Sequence, residues 1–190
     1  LEQCLKETNE IGFSGIEAGG KFPKKSSELI PKLEKENLKL CSGWYGANLL
    51  KNSVKEELSI MKEQLDLFKE CDAPCIVFAE VSRSIQGEVK TPLSKRPILN
   101  NEEWKTFYYK INEISKYMED SGMPLAYHHH MGTVVQSQED TERLIDNTSD
   151  TVRLLIDTGH MMFAGGDFVK IAKDYSSRLH HVHCKDIRKD

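Results

Sequence analysis

The chain has 190 residues, enough for one well-filled core, and its 38% hydrophobic and 29% charged residues are those of a globular rather than a disordered protein. Its formal net charge of -4, with lysines interleaved among glutamates, gives no electrostatic reason to expect nucleic acid as a partner. No apolar run approaches the roughly 20 residues of a membrane helix, and the first residues carry no basic stretch followed by an apolar one. The expectation is a soluble protein with no membrane partner.

The five cysteines, Cys4, Cys41, Cys71, Cys75 and Cys184, are odd in number and scattered, which suggests neither a disulfide framework nor a zinc ribbon. A reducing cytoplasm fits best.

Residues 1–11 read as the end of an amphipathic helix, stopped at Gly12. A short strand over 14–18 follows, then a helix over 26–37 opened by Ser26 and a strand over 38–42. Leu58, Met61, Leu65 and Phe68 give one apolar stripe to a helix over 54–71, and Ala73-Pro74 separates it from a strand over 75–80. The polar segment 81–100 is the single long loop; loops of that length in a compact domain are usually functional.

Asn101 can cap the next helix, whose Trp104, Phe107, Tyr108, Ile111 and Ile114 form a core-facing stripe ending at Gly122. The remaining pattern is a strand running into His128-His129-His130, a helix over 138–147, a strand over 152–157, a helix over 168–175 and a strand over 179–184. Such alternation predicts a parallel sheet, because parallel neighbours require crossovers and helices supply them.

No Gly-x-Gly-x-x-Gly turn or P-loop is present, which weakens a nucleotide-binding open sheet. Polar residues close every strand: Glu17, Ser42, Glu80, His128, Asp157 and His183. That placement favours a (β/α)8 TIM barrel, whose sites are built from strand C-termini. Such a barrel needs eight strands and typically about 250 residues. The chain is therefore expected to be a single incomplete barrel domain over 1–190, with about six parallel strands and the counterparts of strands 1 and 8 missing.

Three successive strands end in groups that can bind a metal or move a proton. Alternation places Ala126, His128 and His130 on one face and Leu125, Tyr127 and His129 on the other. The bulkier Leu125 and Tyr127 suit the helix layer, so His128 and His130 are expected inward. Bland readings stand beside this one. Adjacent histidines can be satisfied rim residues, Asp157 can merely cap the following turn, Glu17 and Glu80 can be solvated strand ends, and Trp44 can be packing or a substrate wall.

The runs Tyr127-His128-His129-His130-Met131-Gly132-Thr133, Ile156-Asp157-Thr158-Gly159-His160 and His181-Val182-His183-Cys184-Lys185-Asp186 resemble the inosose dehydratases of the xylose-isomerase-like barrel superfamily. The likeness extends through Gly43-Trp44-Tyr45, Phe78-Ala79-Glu80 and Ser84-Ile85-Gln86-Gly87. It implies metal-dependent dehydration of an inosose, a small cyclic polyol ketone, to a trihydroxycyclohexane dione in inositol catabolism. The implied cofactor is a divalent metal, manganese or cobalt, and the family is also associated with glutathione. A homo-oligomer is compatible with the same reading.

By resemblance Asp157 and His183 occupy two metal-ligand positions. A third falls on His128, where the superfamily usually has an acidic residue, and a fourth lies beyond Asp190. Proton transfer is assigned to His130 and His160, with Glu80, Lys185, Lys95 and Arg96 orienting substrate; a histidine suits both directions because its ordinary pKa of about 6.5 is near neutrality. The alternatives are a metal-dependent sugar isomerase or epimerase of the same superfamily and a noncatalytic sugar-binding barrel. The 190-residue chain alone is expected to bind metal poorly and not to turn over.

Overall fold

A computed structural model describes residues 1–188. The strands are β1 (Gly15–Ala18), β2 (Lys39–Ala47), β3 (Ile76–Glu80), β4 (Leu125–His128), β5 (Arg153–Asp157) and β6 (Leu179–His183). They form one six-stranded sheet in sequential order, and every neighbouring pair is parallel. The helices are α1 (Glu2–Glu10), α2 (Ser26–Lys35), α3 (Val54–Glu70), α4 (Asn101–Asp120), α5 (Gln138–Asp146), α6 (Thr158–Phe163) and α7 (Phe168–Asp174). This is a curled, open part of a (β/α)8 barrel: among the described residues β1 and β6 are not paired as strands, yet their side chains meet across the interior.

Period-two alternation separates two layers. Ile76, Phe78, Leu125 and Tyr127 pack outward in the same cluster as Phe107, Ile111 and Ile114 of α4, with the Phe107 and Tyr127 rings 6.1 Å apart. Cys75, Val77, Ala126 and Leu155 point the other way and form a small plug of their own on the concave face. The next residue inward after Ala126 is His128, and after Leu155 it is Asp157. The expected orientation of β4 is the one observed.

Two irregularities tune this alternation. Between β1 and β2 the register slips at Cys41, so Glu17 lies opposite Ser42; between β5 and β6 it slips at His180, so Leu155 lies opposite His181 and Asp157 opposite His183. His181 and His183 therefore share the interior face, while Val182 is exposed.

Three helix starts follow the sequence signals; α2 does not, because Lys25 occupies the cap position with no side-chain cap bond and Ser26, expected to cap, is the first helical residue with its hydroxyl on Glu70. Ser53, Asn100 and Ser137 each close a capping box with the acid three residues on. The first residue of α4 is Asn101, and the capping side chain is its neighbour Asn100. Strand β2 runs five residues past its expected end, to Ala47, and α6 follows β5 with no intervening loop. No helix among the described residues is long and apolar enough to cross a membrane.

Phe107 is fully buried and Tyr109, two residues away, is 64% exposed. Phe107→Ala should lower unfolding free energy by about 3–5 kcal/mol in a urea titration, whereas Tyr109→Ala should change it by no more than about 0.5 kcal/mol.

Candidate metal centre

The centre is built around the fully buried carboxylate of Asp157, the last residue of β5. Its Oδ1 accepts from the backbone N–H of His160 at 2.9 Å and so caps α6. Its Oδ2 faces His128 Nε2 at 3.4 Å, His183 Nδ1 at 3.5 Å, His160 Nε2 at 3.8 Å and the ammonium of Lys185, which bonds it directly. One oxygen thus caps α6, and the other faces the three imidazoles and Lys185.

His130 lies past the end of β4 and joins the cluster through its ring, 3.9 Å from that of His160 and 5.5 Å from Trp44. Trp44 also stands edge-on to His128 at 5.5 Å and forms a wall of the site. It lines in addition a cleft of about 530 Å3 with Phe22, Gln64 and Phe68, but that cleft shares none of the histidines. Donor chemistry, not cavity size, marks the centre. His129 turns away from it, fully buried, and its Nε2 accepts the Asp157 N–H at 3.2 Å.

The structure brings together His128, His130, Asp157, His160, His183 and Lys185. Glu80 it places elsewhere. Alternation sets Glu80 on the outward face with Ile76 and Phe78, where its buried carboxylate accepts from the N–H groups of Leu49 at 2.5 Å and Ser82 at 2.7 Å. It joins the loops after β2 and β3. Arg96 is also engaged away from the cluster, paired with Asp140 at 2.8 Å, and Lys95 is exposed on the loop.

That loop is nonetheless tied to the histidine turn: the Ile85 N–H donates to the Gly132 carbonyl at 2.9 Å. Gly132 has φ +80°, and a Cβ there would lie 2.9 Å from the Gln86 backbone nitrogen. Sequence reasoning passed over His181 and treated Glu17 as a doubtful strand end. Glu17 accepts from His181 Nε2 at 2.7 Å, His183 Nε2 at 3.0 Å and Ser42 Oγ at 2.6 Å. The signal that could have found them is the i, i+2 spacing of His181 and His183 on one strand face.

Hydrogen bonds fix the tautomers. His128 Nδ1 is 2.5 Å from the His129 carbonyl, and His130 Nδ1 is 2.8 Å from that of Met131. A carbonyl only accepts, so in both rings Nδ1 carries the proton and a neutral ring presents a bare Nε2. Burial holds His128 and His130 below the ordinary histidine pKa. Burial and the neighbouring His130 push His160 down to about 3.

Burial alone would raise the Asp157 carboxyl, but hydrogen bonds from His183, the His160 N–H and Lys185 outweigh it and hold Asp157 ionised. His183 is opposed by burial and lifted to about 9 by its bonds to Asp157 and Glu17.

A cation fits this donor set. The ligand atoms of His128, Asp157 and His160 lie within 4.8 Å of one another, as do those of Glu17, His181 and His183. The first group offers bare imidazole nitrogen beside a carboxylate, a mixture suited to a divalent transition metal. Without one, a lone pair of His128 faces the anionic oxygen of Asp157. His183 Nδ1 is 3.2 Å from the same His128 nitrogen and is the next donor in reach.

Residues 5–190 match the family described as xylose isomerase-like TIM barrel, and the chain belongs to that family. The chain is 40% identical over 190 residues to the rhizopine catabolism protein MocC of Rhizobium meliloti and 40% identical over 191 residues to an inosose dehydratase of Clostridium perfringens. All of this chain is covered in both, but it spans only 58% and 64% of those relatives' lengths. A sugar phosphate isomerase/epimerase of Parabacteroides distasonis shares the fold, with a TM-score of 0.76 at 15% identity over 98% of this chain and 69% of that one.

In the metal-free protein the His183 ring should titrate near pH 9 in an NMR experiment, and Asp157→Asn should bring it down toward 6.5. Because the folded value is raised, stabilisation by the Asp157–His183 pair is complete below about pH 6.5 and is lost as pH rises through about 9. Unfolding midpoints in urea measured across that window should fall for the unsubstituted protein and stay flatter for D157N.

Proposed function

We propose that the protein carrying this chain is a metal-dependent hydro-lyase that removes water from an inosose to give a trihydroxycyclohexane-1,2-dione. The observation that carries this reading is the buried Asp157 carboxylate ringed by His128, His160 and His183 at neighbouring strand ends. Relatives that bear the name inosose dehydratase, at 37–40% identity, narrow the substrate to a cyclic polyol ketone and the metal-dependent chemistry to dehydration.

His128, Asp157 and His183 would hold the metal, manganese or cobalt, with His160 as a further donor in reach. When bound, the cation supplies Lewis-acid stabilisation of the negative charge that develops on the ketone oxygen. Proton transfer belongs to the chain's own residues. His130 and His160 are neutral near pH 7 and lie ring against ring, so an imidazole of this pair can accept the proton from the carbon beside the ketone. The resulting imidazolium returns a proton to the departing hydroxyl, and the balance is loss of one water.

Trp44 closes one side of the space in front of the two rings and limits solvent. Lys185, half-exposed and bonded to Asp157, orients the carboxylate and offers a cation to substrate oxygens. Glu80 has no part in this scheme, because its carboxylate is committed to the Leu49 and Ser82 backbone.

Assay of the whole protein on inosose with added manganese should show loss of water by mass spectrometry and dione absorbance. Chelator should abolish turnover, and Asp157→Asn should reduce it by at least about a hundredfold. A product of unchanged mass would instead make the enzyme an isomerase or epimerase. Undiminished turnover in chelator would overturn the metal-dependent reading.

A further inference from the structure

We infer that Glu17 is a positioning residue for the metal centre, selecting which nitrogen of His183 faces the ion. The inference rests on the reading of His128, Asp157 and His183 as metal donors. Glu17 is on β1 and His183 on β6, the two strands at opposite ends of the sheet order, yet Glu17 Oε1 and His183 Nε2 are 3.0 Å apart. An ionised carboxylate only accepts, so His183 Nε2 must carry a proton. That leaves Nδ1 as the only nitrogen free to bind, and it points at Asp157 Oδ2 at 3.5 Å and His128 Nε2 at 3.2 Å.

A metal-binding histidine commonly donates its other N–H to a carboxylate, which fixes the ring and raises its basicity. Glu17 is itself held for the task. Ser42 Oγ donates to the same oxygen at 2.6 Å and His181 Nε2 lies 2.7 Å from it, so the carboxylate is gripped from β2 and β6. The register slip at Cys41 sets Glu17 opposite Ser42, and the slip at His180 turns both histidines inward. Together the two irregularities bring the three groups to one point. The rival use of the same atoms, a separate ion held by Glu17, His181 and His183, predicts a different stoichiometry.

Manganese titrated calorimetrically into the purified whole protein should bind one ion per chain, and Asp157→Asn should abolish that binding. Glu17→Gln keeps the size and an accepting oxygen but can also present N–H to His183. It should leave one ion per chain with affinity roughly 10- to 100-fold weaker. With zinc as the probe, 15N spectra should show His183 bound through Nδ1 with Nε2 protonated, and a mixture of the two ring arrangements in E17Q.

Unchanged affinity and an unchanged His183 spectrum in E17Q would overturn the inference while leaving the centre intact. Two ions in the unsubstituted protein and one in E17Q would also overturn it, making Glu17 a ligand. Failure of the unsubstituted protein to bind manganese would overturn the centre and this inference together. If E17Q unfolds by circular dichroism, Ser42→Ala removes one partner of Glu17 and none of His183; a severalfold loss of affinity is then expected, and none would overturn the inference.

Discussion

The buried carboxylate of Asp157 is the constraint on which this end of the molecule depends. A carboxylate removed from water is costly unless cations and hydrogen-bond donors replace the solvent. Here they come from three places: the N-terminus of α6, β6 through His183, and the segment after β6 through Lys185. Two strand ends, one helix start and the segment after β6 are thereby fastened to a single side chain. The two oxygens divide the work: one caps α6 and the other faces the imidazoles and Lys185.

This division explains why α6 begins with no loop. Asp157 is at once the last residue of β5 and the N-cap of the next helix, which carries His160 back toward the same carboxylate within one turn. A site that depended on a long connection would place His160 less firmly. The Gly159 position shows how tight the arrangement is, because a Cβ there would lie 2.7 Å from Cβ of Lys185. The Asp-Thr-Gly-His run is thus a packing requirement as well as a chemical one.

Much of this was legible in the sequence, for identifiable reasons. Strands and helices with clear periods of two and 3.6 were found in the right order, and the parallel sheet followed from their alternation. His128 is expected inward because Leu125 and Tyr127 are the bulkier apolar pair of the strand, which suits the helix layer. Glu80 failed to join the cluster by the same parity rule: it is an even step from Phe78, and Phe78 packs against the helices. Helix α6 is not legible because six residues show no amphipathic period, although Asp157 is visible as a cap for the turn that follows it.

Glu17 and His181 were not legible because parity does not survive a register slip. Strand β2 presents Leu40 outward and Ser42 inward, but Tyr45 outward again, an odd step from Leu40. No local pattern announces where such a slip falls. Nor does sequence distance hint that Glu17 meets His183, 166 residues on, since the encounter arises from curling the whole sheet. A parallel sheet of fixed hand brings its first and last strands toward each other only as every intervening crossover packs on the same side. The reach of Glu17 to His183 is therefore a global property of the barrel, and the chemistry at Asp157 depends on it through one imidazole ring.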